Sequence, residues 1–582
     1  MKKFLTGLAC GVVLALLCGV IVFFAAIRLS ERKPSIAQGS TLVLALEGEV
    51  PEQAPMELPL PFLEGETTVT VEETWLALRR AAADPKISAV VLEPRDLEVG
   101  WGKIQEIHAD LEAFRKSGKP LYAYLRNPGT AEYYLATAAD RIYMTPTDML
   151  DVKGLRVELM YLHDMLAKFG VEMEVQHDGK YKDFGDMFTR TSMSPETREV
   201  MNQILDQYYG DLVDTISNGR RKQPAEVRSL IDNGPFLASQ ALSGGLVDSL
   251  GFDDQMYEDL RGRLPRRELH RVPVRTYLKA QGDAEGANVR RIAWVVGQGD
   301  IVRGPAREME TGLMTSGGMI KLLREAGDDR SIRGVILRID SPGGDGVASD
   351  DILHEVRLLS SKKPVVISMG DVAASGGYFV AMSGDPIVAY PNTLTGSIGV
   401  VTVKPNLHGL LDKLGLKVEA LSRGRYADFD SALHPMDDAS RAKLQETLDE
   451  FYKQFVARVA EGRHRKFTEV EPLAQGRVWL GVQAKANGLV DDLGGLDRAI
   501  QAMRVRAKIP ASDRVELAPF PRRRTIFELL MNRAQELSGG EDEADARVSA
   551  WLKGLRVPAR AWIRGALRGG RLELMPYAIN VK

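Results

Sequence analysis

Beyond residue 18 the chain has no cysteine; its two, Cys10 and Cys18, both lie in the first apolar stretch. The body that follows can therefore hold no disulfide framework, no cysteine-based zinc site and no cysteine nucleophile. A thiol-free body suits an oxidising compartment. A surplus of charge is missing too. Lys and Arg number 76 against 79 Asp and Glu, for a formal net charge of −3. That balance gives no reason to expect nucleic acid as a partner. The eight histidines form no metal-spaced pair and sit in no catalytic motif. No cofactor motif is present either, so neither a metal nor an organic cofactor is expected.

What is present begins at the N-terminus. Lys2 and Lys3 precede FLTGLACGVVLALLCGVIVFFAAI, residues 4–27, a run without charge. As a helix it would measure about 36 Å, enough for a bilayer core of roughly 30 Å. A cleaved signal peptide has a shorter core of about 7–15 residues, and the Ser-Ile-Ala site ending at Ala37 lies well past the run. A retained single-pass anchor is the expectation. Arg28, Arg32 and Lys33 follow the run, so flanking charge leaves its orientation open.

With 582 residues the chain exceeds one hydrophobic core, and its body repeats itself. DPKISAVVLEP (84–94) matches DRSIRGVILRI (329–339), positions 245 apart. LHDMLAKFGVEMEV (162–175) matches LHGLLDKLGLKVEA (407–420) at the same offset. GLVDSLG (245–251) and GLVDDLG (488–494) stand 243 apart. A period this long is a duplicated domain rather than a solenoid unit. The chain divides into an anchor and linker (1–39), a first repeat (40–270), a linker (271–289), a second repeat (290–510) and a basic tail (511–582).

Each repeat alternates short apolar runs with helical patterns. GVILRID and PVVISMG read as buried strands. Ile352, Leu353, Val356 and Leu359 mark a helix between them. Ser194-Pro195 offers the N-cap and first position of a helix over 196–217. Leu444, Leu448, Phe451, Phe455 and Val459 mark its counterpart. The alternation predicts an α/β fold with mostly parallel strands.

The second repeat carries two glycine-rich turns, RIDSPGGDGVAS with Gly343 and Gly344, and MGDVAASGGYFVAM with Ser375, Gly376 and Gly377. Ser375 ends an apolar strand and would head a helix whose free N–H groups can hold an oxyanion. Ser375 is thus a candidate acyl nucleophile, with Gly376 and Gly343 or Gly344 supplying donors. The competing reading makes AASGG a small-residue packing site between strand and helix. A serine nucleophile needs a base, and a lysine can replace histidine in that part. DGKYKD (178–183) faces RGRYAD (423–428) across the offset of 245, so Lys182 faces Ala427. Conversely Ser375 faces Thr130, Ser397 faces Val152, and Gly376-Gly377 face Ala131-Glu132. One repeat has kept the serine and the other the lysine. The alternative is independent drift, with Lys182 an ordinary solvated lysine.

In combination, SPGG, MGDVAASGGY, TLTGSIGV and GKYKD followed by MSPETRE resemble the long, tandem-repeat form of bacterial signal peptide peptidase A, or protease IV. The resemblance covers roughly residues 40–510 and the anchor. It implies two tandem crotonase/ClpP-like α/β repeats after an N-terminal transmembrane helix. It implies a Ser-Lys endopeptidase in which Ser375 is the nucleophile, Lys182 the general base and Ser397 the residue that orients the lysine. Gly376 and the Gly343-Gly344 turn match the oxyanion region. It further implies cleaved signal peptides and other apolar peptides as substrates, a homo-oligomer such as a tetramer, and a body on the periplasmic side of the inner membrane. The family motif usually runs YKSA; here Asp183 and Phe184 follow Lys182. Two other classes stay open: a crotonase-like acyl-CoA enzyme using the same glycines, and a non-catalytic peptide-binding membrane scaffold. The tail carries PRRR (521–524), an acidic run (539–546) and a basic stretch with Trp551 and Trp562. It reads as a surface helix or loose tail, or as a segment lying on an anionic membrane.

Overall fold

The computed structural model describes residues 34–53, 68–264, 269–282, 286, 288–306 and 312–521, together with the strand Leu572–Leu574. The expected membrane helix at 4–27 lies outside these residues. Among the described residues no helix is long and apolar enough to cross a membrane.

Strands alternate with helices along the chain, and two six-strand runs of the same order result. In the first repeat the order is Ser249–Leu250, Arg141–Met144, Leu121–Leu125, Ile87–Arg95, Ser40–Glu47 and His270–Pro273, all parallel. In the second it is Asp492–Leu493, Ile387–Ala389, Val365–Ala374, Ile332–Ser341, Val289–Gln298 and Arg514–Phe520, again all parallel. Parallel strands need crossovers that cover both faces, which is why LYAYL at 121–125 is buried at every position. The helices Trp101–Arg115 and Gly346–Lys362 supply equivalent crossovers. The long helices Pro195–Arg220 and Asp438–Gly462 begin at side-chain caps, Ser194 and Asp437.

The repeats are joined through charge as well as apolar packing. Trp75, from the first repeat, packs among Ile292, Trp294 and Ile500. Arg338, in the middle of a second-repeat strand, reaches Glu52 at 2.9 Å and Glu106 at 2.5 Å. Lys103 reaches Asp340 at 2.8 Å and Asp371 at 3.4 Å. Asp371 also accepts the backbone N–H groups of Gly100 and Lys103, so a second-repeat carboxylate caps a first-repeat helix. Burial raises the Glu52 carboxyl to about 7 against the pull of Arg338. Burial also opposes the Asp340 charge, but Lys103 outweighs it and holds that carboxyl low.

A third sheet lies across the repeat boundary. Its order is Met314–Thr315, Ile301–Val302, Gly343–Asp345, Leu572–Leu574, Val400–Asn406 and Glu172–Asp178. The first-repeat strand Glu172–Asp178 pairs antiparallel with Val400–Asn406 of the second, with Asp178 opposite Val400. At 572–574 the tail is neither surface helix nor loose chain. Its backbone finds ladder partners in Gly343–Asp345 and Val401.

Candidate active site

Ser375 stands where the strand Val365–Ala374 meets the short helix Gly376–Val380. The strand is prolonged past the body of its sheet because Leu394–Gly396 pairs with residues 372–374. Ser375 donates its own N–H to Gly396 O at 2.8 Å, and its carbonyl accepts the N–H of Phe379. Its backbone has φ 52°, a region costly for a residue with a side chain. Ser397, just beyond Leu394–Gly396, also has positive φ, 51°, and donates its N–H to Arg477 O. Two serines held in strained conformations flank one point.

Lys182 meets them there. It follows the strand Glu172–Asp178, and the pairing of that strand with Val400–Asn406 carries the lysine turn across the repeat boundary. The Lys182 Nζ lies 2.8 Å from Ser375 Oγ, 3.0 Å from Ser397 O and 3.0 Å from Ser397 Oγ. All three residues have no solvent exposure. The contact forms within one chain, across 193 positions. Lys180, two residues earlier, is exposed.

The glycine turns lie against each other. A Cβ placed on Gly376 would come within 3.2 Å of Gly344 N and 3.3 Å of Gly343 Cα. Gly343 and Gly344 have φ of 107° and 155°, open to glycine alone among ordinary residues. The Gly343 N–H donates to Ser341 Oγ at 3.2 Å. The predicted residues Ser375, Lys182, Ser397, Gly376, Gly343 and Gly344 are thus brought to one place.

Three supports were not singled out from the sequence. The loop Gln475–Arg477 backs the lysine: Gln475 O accepts the Tyr181 N–H and Arg477 O accepts the Ser397 N–H. Gly476, at φ 75°, approaches Lys182 so closely that a Cβ would sit 2.5 Å from its backbone N. The Arg477 guanidinium lies 4.7 Å over the Tyr181 ring and reaches Glu199 at 2.8 Å. Asp183 accepts a hydrogen bond from Thr197 Oγ1 at the start of the helix Pro195–Arg220, tying the lysine turn to that helix. Finally, Asp371 and Asp340 anchor the strand leading to Ser375, Asp340 by accepting the Val372 N–H at 3.1 Å. One signal for this last group was in the sequence: Arg338 and Asp371 are charges inside otherwise apolar strand runs. Among the described residues no group of three or more His, Cys, Asp or Glu side chains could hold a metal ion.

A buried lysine amine at hydrogen-bond distance from a strained serine, beside a glycine turn, is an arrangement suited to acyl transfer. Comparisons with known proteins agree. A sequence profile described as Peptidase family S49 matches residues 113–264 and 357–510, once in each repeat. The chain is 34% identical over 495 residues to "Serine protease SPPA, chloroplastic" of Arabidopsis thaliana, covering 84% of this chain and 72% of that one. It is 32% identical over 493 residues to "Protease 4" of Haemophilus influenzae, covering 81% and 79%. The solved ClpP1 from Listeria monocytogenes aligns with 35% of this chain at 15% identity and a TM-score of 0.21, too low to bear on the fold.

Proposed function

This chain belongs to peptidase family S49 and is a serine protease, and on that premise we propose that Ser375 and Lys182 form its catalytic dyad. The carrying observation is the 2.8 Å contact between Lys182 Nζ and Ser375 Oγ. A neutral amine has two N–H groups. Directed at Ser397 O and Oγ, they leave its lone pair for the Ser375 hydroxyl proton. Full burial disfavours the ammonium form, as a lysine base requires.

Lys182 takes the Ser375 proton and the alkoxide attacks a peptide carbonyl. The Gly376 N–H and the adjacent Gly343-Gly344 turn stabilise the oxyanion. The protonated lysine returns its proton to the leaving amine, and water then resolves the acyl-enzyme. Ser397 keeps the lysine aimed through both reactions.

The substrate class in this reading is apolar peptide, cleaved signal peptides included, processed by a membrane-anchored enzyme whose body faces the periplasm. The uncharged run at 4–27 supports the anchor. Exposed Met160, Met165 and Phe169 in the first repeat, and Leu414, Leu416 and Leu421 in the second, support a homo-oligomer that covers them. The peptidase reading is tested with a leucine- and alanine-rich synthetic peptide incubated with wild type, Ser375→Ala and Lys182→Ala, products read by mass spectrometry. Each folded variant should lose about 10³-fold or more of turnover. Near-normal cleavage by either one removes that residue from the dyad.

A further inference from the structure

The strand that delivers Ser375 and the strand that leads to the Gly343-Gly344 turn are neighbours, and their register breaks just before both. Ile339 pairs with Met369 and Ser341 with Ala373, so Gly370, Asp371 and Val372 stand opposite Asp340 alone. A bulge of this kind re-aims the residues that follow it. On one side Ala374 and Ser375 follow. On the other comes Ser341, whose Oγ accepts the Gly343 N–H at 3.2 Å and whose carbonyl oxygen lies 2.6 Å from where a Cβ of Gly377 would sit. The Asp340 carboxylate fills the bulge and accepts the Val372 N–H at 3.1 Å.

A side chain of the first repeat closes this bulge. The Lys103 Nζ lies 2.8 Å from Asp340 Oδ2 and 3.4 Å from Asp371 Oδ2, at a place nearly shut off from solvent. Burial opposes the charge on Lys103, but Asp340 and then Asp371 outweigh it and keep the amine an ammonium. Two carboxylates that share a buried site repel each other, and this ammonium binds both. Without it they part, and the bulge opens under Val372, three positions before Ser375. Ser375 tolerates little of that, because its positive φ persists only where the surroundings over-determine it. The matching helix of the second repeat has no such cation: Ala348 stands 245 positions after Lys103. Nor does the first repeat keep the arrangement for its own strands. Arg95 and Arg126, which match Asp340 and Asp371 at the same offset, are both exposed. The cation is given in one direction, towards the strand that ends at Ser375.

Building on the peptidase reading, we propose that Lys103 is a positioning residue for the reaction: by bridging Asp340 and Asp371 across the bulge, it sets Ser375 and the Gly343-Gly344 turn at the separation acyl transfer requires. Lys103 touches no reacting atom. It acts through Asp340 on the Val372 N–H and, through the same bulge, on Ser341 and the glycine turn. A reacting group displaced by about 1 Å can lose about 10²-fold in rate, so a contact this close to the nucleophile strand reaches kcat without touching substrate.

The experiment compares the full chain in detergent as wild type, Lys103→Met, Lys103→Arg and Ser375→Ala. The probes are a fluorogenic leucine- and alanine-rich peptide and a fluorophosphonate, whose attachment to Ser375 with loss of fluoride is followed by mass spectrometry. Lys103→Met should lower kcat and the rate constant of labelling by about 10- to 100-fold and leave KM within about twofold. Lys103→Arg keeps a cation and should recover most of both rates. A role confined to holding the repeats together would reduce the amount of serine that can be labelled, not the rate constant at each labelled serine. Lys103→Met with kcat and labelling within about twofold of wild type overturns the inference, and so does Lys103→Arg as slow as Lys103→Met. Failure of the peptidase reading shows separately, in proteins that keep Lys103: Ser375 of wild type goes unlabelled, or Ser375→Ala cleaves as fast as wild type. Should Lys103→Met fail to fold, the double variant Lys103→Met/Asp371→Asn, which removes one buried carboxylate along with the ammonium, is compared with Asp371→Asn by the same criteria.

Discussion

The two repeats share six parallel strands in one order, and differ at the end of one of them. In the second repeat the strand Val365–Ala374 runs on beside Leu394–Gly396 and delivers Ser375. In the first, Leu121–Leu125 stops early, and the counterpart pair Met149–Leu150 and Phe236–Leu237 stays apart as its own two-stranded sheet. Where the second repeat has Gly377, at which a Cβ would sit 2.6 Å from Ser341 O, the first places Glu132. That carboxylate accepts the N–H groups of Leu97 and Gly129 at 2.7 and 2.9 Å. In the first repeat a side-chain carboxylate thus occupies the backbone donors of this turn and ties it together structurally. The lysine side is reversed. Glu172–Asp178 is a strand that carries Lys182 into the site, whereas residues 417–423 form no strand and Ala427 is exposed. Each repeat has built out one half of the site and let the other half lapse.

The most severe way to break this comparison is to move the lysine. Lys182→Ala should lower turnover by about 10³-fold or more, and adding Ala427→Lys should restore none of it, because that position lies in an exposed loop. Recovery of peptide cleavage in the double variant would show that the lysine works from either repeat.

Acid sensitivity divides the repeats next. His108, on the helix Trp101–Arg115, faces Leu353 of the second repeat at the same offset. Burial, then Arg115, pushes its imidazole down to about 4 from the ordinary 6.5. The folded chain therefore accepts this proton later than the unfolded one. Stability is lost as pH falls from about 6.5 towards 4, by at most about 3 kcal/mol and less by whatever water screens at this partly buried site. His108→Leu should flatten that stretch of a Tm-against-pH curve. An unchanged slope would assign the acid response to other groups.

The smallest effect sharpens the contrast in function. Glu132→Ala leaves two backbone N–H groups unpaired at a site with little solvent access. It should cost about 1–3 kcal/mol in denaturant unfolding and leave kcat for the fluorogenic peptide unchanged. A fall in kcat with stability intact would mean that the first-repeat turn still takes part in the reaction.

Much of this was legible because duplication turns one sequence into two aligned ones. The offset of 245 set Lys182 against Ala427 and Ser375 against Thr130, and apolar runs such as PVVISMG announced parallel strands. Ser194-Pro195 marked a helix start that the structure shows at Pro195. Other supports left no periodic trace. The loop Gln475–Arg477 acts through backbone carbonyls and one glycine, which any sequence could supply. Thr197 and Asp183 are polar residues at unremarkable positions whose bond depends on a helix start folding back onto a turn.

Composition, period and the complementary losses were decided by local chemistry, so the chain alone determined an α/β duplication and the two residue types that must meet. Whether they meet depends on the pairing of Glu172–Asp178 with Val400–Asn406, which closes a gap of 193 positions inside one chain. The buried cluster of Arg338, Lys103, Glu52, Glu106, Asp340 and Asp371 likewise exists only once two repeats are docked. The tail strand Leu572–Leu574 depends instead on two segments of the second repeat, Gly343–Asp345 and Val401, that lie far from it in the chain. Such contacts lie between segments far apart in the chain, where no local propensity acts, and they form only when packing brings unpaired backbone and unpaired charge to the same buried place.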